Sequence, residues 1–339
     1  MVKRVTLGDV AKAAGVSTAT VSMALNRKPG SRIPTSTIDK VKAAAQELGY
    51  RPNSAARALK TGKTGVLGFI SDEVTITRFA SPMISGILEY AEQAGKSVMM
   101  AETAHKDVQL AEAIENLEGR NVDGLIVGLM ASREIELPET TTPIVVCNGK
   151  SHALPCVLAD DFTAGHDAIS YLAARGHTRI GVIGRYPSES AASPSFSIAN
   201  RFQGIDAGVA DHAMNVVTEF TGTVWEPELG YQGAHYIMRH SSPTAIVTAN
   251  DRIAFGAYQA LAELQLAIPE DVSVLSFDDE DLAGLVRPGL TTLRLPYRHM
   301  GQKAAELITT ATMDRQGEGD SPVLLPLKVV ERESVTTAR

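Results

Sequence analysis

A chain of 339 residues with 44% hydrophobic and 21% charged residues carries enough apolar material for a small module beside one large α/β domain, which excludes a disordered chain. No apolar run approaches the roughly 20 residues of a membrane span, and Met1 to Thr6 lead into no apolar export segment, so a cytoplasmic protein without membrane contact is expected. The net charge of −7 argues against a uniformly basic nucleic-acid binder, but it is unevenly spread. Residues 1–64 hold 12 Lys and Arg against 3 Asp and Glu, a balance of +9 that leaves −16 for the rest. A basic head on an acidic body can meet phosphates with the head alone.

Inside the basic head the first predicted element runs through Leu7-Gly8-Asp9-Val10-Ala11-Lys12-Ala13-Ala14, with Leu7, Val10, Ala11 and Ala14 on one helical face. Gly15 breaks this helix, Val16 fills the turn, and Ser17 is placed to cap a second helix whose inner stripe is Val21, Ala24 and Leu25. This is helix-turn-helix patterning, and it turns Ser17, Thr18, Ala19 and Ser22 outward where a recognition helix enters a major groove. A third helix is expected from about Ser36 to Leu48, with Ile38, Val41, Ala45 and Leu48 inward and Gly49 as its stop. Tyr50-Arg51-Pro52-Asn53 then leads to Ser54–Leu59, too short to be a stable helix alone, and to the linker Lys60-Thr61-Gly62-Lys63-Thr64.

These stretches, in this order, resemble the LacI/GalR family of bacterial repressors: Val5-Thr6-Leu7-Gly8-Asp9-Val10-Ala11, Gly15-Val16-Ser17, Thr20-Val21-Ser22, Leu48-Gly49-Tyr50-Arg51-Pro52-Asn53 and Ala56-Arg57-Ala58-Leu59. The resemblance implies a sequence-specific DNA-binding regulator, a repressor, whose hinge helix 54–59 pairs with that of a second copy in the minor groove, with Leu59 wedged between base pairs. It adds Thr6, Thr20, Met23, Asn26, Tyr50, Asn53, Ala56 and Arg57 to the residues expected on a pseudo-palindromic double-stranded operator. Met23 stands where the family usually has Arg, which removes a bidentate guanine contact and points to a different half-site. The basic stretch Arg27–Arg32 fits phosphate contact.

From residue 65 short apolar runs alternate with amphipathic segments, the pattern of parallel sheets covered by helices on both faces. Val66–Ile70, Ser97–Ala101, Gly124–Val127 and Pro143–Cys147 read as strands of a first sheet. Ile180–Ile183, Val216–Thr218, Ala245–Val247 and Val272–Leu275 read as strands of a second. The resemblance makes this body similar to periplasmic sugar-binding proteins, with two doubly wound subdomains and three crossings, placed near Asp161, Gly289 and Ser321. The divisions are then a head at 1–50, a hinge and linker at 51–64, a first subdomain of 65–161 with 290–320, and a second of 162–289 with 321–339. A helix from Met300 to Ala311 should return to the first subdomain, and the run Val323–Leu327 to the second. No leucine heptads follow, so a homodimer is expected.

Ligands of such sheets sit beyond the strand C-termini, in the cleft between subdomains. Asp72 and Phe79 follow the first strand, and Asp160 and Asp161 stand at a crossing. Matched to the family, Arg201, Asn250, Asp278 and Trp225 fall where sugar-binding relatives hold hydroxyls and cover a ring face. Each has a plainer alternative: Trp225 as packing, Asp160 or Asp161 as a helix cap, Arg201 with Asp278 as a structural ion pair, and Asp251 as the cap of the helix that follows it. The resemblance implies a small effector, a sugar or polyol, with a purine or nucleoside as the alternative and either sign of control open. A solute-binding transport component is the reading from another class. No HExxH, GxSxG or Walker motif occurs, His177 reads as part of a structural turn, and Cys147 and Cys156 have no metal-binding spacing, so no enzyme, cofactor or metal is expected.

Overall fold

The computed structural model describes residues 5–25, 33–50, 58, 62–72, 80–103, 107–187, 195–310 and 321–338. It divides into two compact units, 1–64 and 65–339. In the first unit α1 (Leu7–Ala14), α2 (Thr18–Leu25) and α3 (Thr35–Glu47) close around Val10, Ala14, Val21, Ala24 and Val41. Helix α1 starts on a capping box, in which Thr6 Oγ1 accepts the Asp9 N–H at 3.3 Å while the Asp9 carboxylate accepts the Thr6 N–H at 2.8 Å. It ends at Gly15 with φ +64, a left-handed backbone that only glycine adopts without cost. Leu48, expected inward, is instead 38% exposed, because α3 stops at Glu47 and Gly49 turns the chain.

The body contains β1 (Val66–Ser71), α4 (Ala80–Gln93), β2 (Ser97–Glu102), α5 (Asp107–Glu118), β3 (Gly124–Gly128), β4 (Ile144–Cys147) and β5 (Cys156–Ala159). Then come α6 (Asp161–Ala173), β6 (Arg179–Arg185), α7 (Phe196–Asp211), β7 (Asn215–Thr221), α8 (Pro227–His240), β8 (Ala245–Thr248), α9 (Asp251–Glu263) and β9 (Ser273–Asp278). The last elements are α10 (Asp281–Leu285), β10 (Thr291–Arg294), α11 (Tyr297–Thr310), β11 (Val323–Leu325) and β12 (Lys328–Val330). One sheet runs β11-β5-β4-β3-β1-β2 and the other β12-β10-β9-β8-β6-β7. All strand pairs are parallel except β10 with β12, and apolar clusters cover both faces of the first sheet. Cys147 and Cys156 point into different clusters and are both free thiols.

The crossings differ from the expected ones in two places. The first does follow β5. The second lies between β10 and α11, not near Gly289, because Thr291–Arg294 pairs with β9 in the second sheet. The third lies at 326–327, not near Ser321, because Val323–Leu325 extends the first sheet beside β5. Pro326, with no N–H to donate, follows the end of β11 before β12 joins the other sheet.

Three helix pairs share one packing device. A Cβ added at Gly86 or Gly301 would collide with the backbone of α11 or α4, respectively. Gly165 and Gly204 do the same for α6 and α7, and Gly230 and Gly256 for α8 and α9. Backbones approach this closely only where no side chain stands between them, and two of these pairs carry the walls of the cleft described next.

Candidate functional site

In the head, α2 presents Thr18 and Ala19 fully outward, Thr20 and Ser22 partly so, and Met23 with 39% exposure, while Val21 and Ala24 anchor the opposite face. Ser17 caps the helix: its Oγ accepts the Thr20 N–H at 3.1 Å. Thr6 and Ser17 are therefore exposed, but their hydroxyls already serve helix ends. The Tyr50 ring packs against the head core, and its N–H donates to Ala45 O at 2.8 Å. Asn26, Asn53, Ala56, Arg57, Leu59 and Phe79 lie outside the described residues.

In the body the strand ends enclose a cleft of ≈150 Å³. The second subdomain contributes Asp161, Arg201, Trp225, Asn250 and Asp278; loop 130–132 and Asn148 face them from the first, and Leu295 and Tyr297 line the second crossing. Arg201, 4% exposed, is the centre. Its Nε and Nη2 donate to Asp161 Oδ1 at 2.9 and 2.7 Å, Nη1 donates to Ala249 O at 2.8 Å, and Asp278 Oδ1 lies 3.8 Å from Nη1. The guanidinium also lies 4.5 Å from the centre of the Phe277 ring. Burial opposes its charge, but Asp161 and Asp278 outweigh burial and hold it protonated. Burial likewise pushes the Asp161 carboxyl upward against the pull of Arg201. Asp161 Oδ2 is buried with no hydrogen-bond partner, although the Ser197 hydroxyl is near enough to favour its charged form.

Asp278 is held at φ +111, a region that residues with a side chain rarely enter, and Asp279 follows at +57. Asp279 is anchored by Arg294 at 2.5 Å and Arg332 at 2.7 Å, which fixes the turn that delivers Asp278 to the cleft. Trp225 donates its indole N–H to Gly184 O at 2.8 Å and packs 5.8 Å from Tyr186, so only its ring face serves the cleft. Asn250 is the N-cap of α9, with Oδ1 accepting the Ile253 N–H at 2.9 Å and Nδ2 donating to Trp225 O at 3.3 Å.

Several expectations are corrected. Asp160, expected against ligand, caps α6 by accepting the Thr163 N–H at 3.2 Å, and its neighbour Asp161 lines the cleft. The ion pair of Arg201 is made with Asp161 before Asp278. Asp251 is not the cap of α9; its carboxylate accepts from Thr292 Oγ1 at 2.7 Å and from the Glu280 N–H at 2.8 Å, and burial pushes its pKa up to about 7. Asp72 faces Met130 and Arg133 instead of the cleft. His177 is buried in a turn, bonded to Thr244 Oγ1 and Thr336 O at 2.8 and 3.0 Å. The sequence reading missed Ser132, Asn148, Ser195, Ser197 and Tyr297, although the strand-end rule already pointed to Asn148, directly after β4.

Residues 169–335 match a periplasmic binding protein-like domain, and residues 6–53 match the bacterial regulatory proteins of the lacI family. The ribose operon repressor of Escherichia coli (strain K12) is 31% identical over 94% of this chain and 98% of that protein. The chain belongs to the lacI family of bacterial regulatory proteins. The lacI-family assignment makes it a DNA-binding transcriptional regulator and not an enzyme. The HTH-type transcriptional repressor PurR of Vibrio atlanticus (strain LGP32) is 29% identical over 98% of this chain and 99% of that protein. The crystal structure of the Lac repressor dimer bound to operator and an anti-inducer superposes with a TM-score of 0.73 at 26% identity, covering 98% of this chain and all of that one. Among the described residues no helix is long and apolar enough to cross a membrane, and no group of side chains is arranged to hold a metal ion.

Proposed function

We propose that this lacI-family member is a cytoplasmic homodimeric repressor that reads a pseudo-palindromic operator with α2 and releases or tightens it in response to a neutral sugar or polyol bound in the cleft. The observation that carries the effector class is the state of Arg201. The guanidinium is spent on Asp161, Ala249 O and Asp278, so among the lining residues two carboxylates face one committed cation. Such a wall accepts hydroxyl hydrogens and repels phosphates. The volume of ≈150 Å³ lies below the roughly 300–1,000 Å³ of sites for drug-sized ligands, which favours a monosaccharide over a nucleoside. Similarity to a ribose operon repressor supports the same class. Similarity to PurR, together with the Trp225 face, supports a purine or nucleoside as the second reading. The transport-component reading is set aside by the match of residues 6–53.

Control follows from linkage: a ligand that prefers one arrangement of the subdomains shifts DNA affinity by its differential affinity for the two. The test is thermal unfolding against pentoses, hexoses, polyols, sugar phosphates, nucleosides and purines. A neutral monosaccharide or polyol should raise the midpoint, with a stabilisation of about 2.7 kcal/mol at 100 times its Kd. The same compound should then change binding of a labelled operator fragment. A rise confined to nucleosides, purines or phosphates would replace the effector class proposed here.

A further inference from the structure

Asp72 is an acid that the cleft does not use. It is 1% exposed just beyond β1, and its two oxygens hold the two ends of one short loop: Oδ1 accepts the Met130 N–H at 2.9 Å and Oδ2 accepts from Arg133 Nη1 at 2.6 Å. Between those anchors lies Ser132, which reaches across the cleft. Its Oγ donates to Ser197 Oγ at 2.6 Å, takes a bond from Ser195 Oγ at 2.5 Å and accepts the Ser197 N–H at 3.0 Å, while its carbonyl accepts the Phe196 N–H at 3.1 Å. Lys150, whose backbone N–H donates to Arg133 O at 3.1 Å, sets its ammonium 4.6 Å from the centre of the Phe196 ring. Ser195 is the N-cap and Phe196 and Ser197 the first residues of α7, the helix that carries Arg201.

From this chain of contacts we propose that Asp72 is the positioning residue of a clasp across the cleft. By pinning both ends of loop 130–133, it sets Ser132 where the first subdomain grips the start of α7. A charged acceptor holding a backbone N–H and a guanidinium fixes a loop far better than neutral bonds do. Ser132 must satisfy donors and acceptors of the other subdomain at short range, so a small loop displacement breaks several bonds together. The clasp is read without ligand. Only its consequence, that Asp72 tunes effector affinity from outside the cleft, rests on reading the cleft as the effector site.

Amide hydrogen exchange on the full-length protein, with no ligand present, tests the clasp. Asp72→Ala should raise exchange at Phe196 and Ser197 about tenfold or more, while β1 and β3 stay protected. Ser132→Ala, which loses Oγ but keeps the carbonyl that accepts the Phe196 N–H, should raise exchange at Ser197, and the double variant should add little there to Asp72→Ala alone. Asp72→Asn, which keeps an oxygen for the Met130 N–H, should recover part of the protection. Faster exchange at Met130 with Phe196 and Ser197 unchanged would overturn the proposal, since the loop would then be loosened without releasing the second subdomain. If Asp72→Ala loses protection throughout the body, Arg133→Ala takes its place, and unchanged exchange at Phe196 and Ser197 in that variant counts equally against the clasp. A ligand panel that yields no sugar would remove the effector class and leave this result standing.

Discussion

Arg201 illustrates how a single side chain can be both site and structure. Three of its N–H groups are already bonded, and its charge is what makes a buried Asp161 tolerable. Removing it should cost about 3–5 kcal/mol, because an uncompensated buried carboxylate is left behind. Urea unfolding of Arg201→Ala should show that loss, and Asp161→Asn in the same chain should restore part of it. A cost under about 1 kcal/mol would mean that the pair is not shielded from water as the structure has it. The same double use explains what was legible in the sequence at this scale. Arg201, Trp225, Asn250 and Asp278 were matched by motif and do meet in the cleft. Asp72 and Asp160 were chosen by the same strand-end argument, yet one braces a loop and the other caps a helix. A carboxylate beyond a strand has all three uses open to it, and local spacing does not separate them.

Among the elements, the glycine contacts set how close each helix pair can come. In α7, Gly204 lies directly over the Phe162 carbonyl of α6, and Gly165 of α6 lies over the Arg201 carbonyl. Gly204→Ala should therefore force the two helices apart at a cost of about 1–3 kcal/mol or more, although Ala is the better helix former. A thermal midpoint equal to or above that of the parent would show that the helices can yield. Strands were readable because their apolar runs are local: all eight that the sequence suggested are present. Which sheet a strand joins is not a local property. Thr291–Arg294, which joins the preceding strand β9, was not recognised as a strand, and Val323–Leu325 was assigned to the wrong sheet, since its partner β5 lies far away in the chain.

For the molecule as a whole, two buried groups in the body pull its stability in opposite directions with pH. Burial raises Asp251 to about 7 against the bonds from Thr292 and Glu280, with the Glu280 charge adding to the rise. Its contribution is complete below the ordinary carboxylate range near ~4 and is lost as pH rises through about 7. Burial lowers His177, so its contribution is present above ~6.5 and lost as pH falls. Asp251→Asn removes the first effect. Its urea midpoint should rise from pH 5 to pH 7 more steeply than that of the parent, and parallel profiles would show that Asp251 does not titrate differently on folding.

The order of the strands has a consequence for how the molecule is made. The head has its core in hand once residue 50 is synthesised. Both sheets of the body wait for residues 323–330, because β11 closes one edge and β12 the other. Domains tend to fold as they emerge from the ribosome, N-terminal first. The operator reader is thus finished long before its sensor, and translation cut short before β11 would leave a head able to fold on a body in which neither sheet is whole.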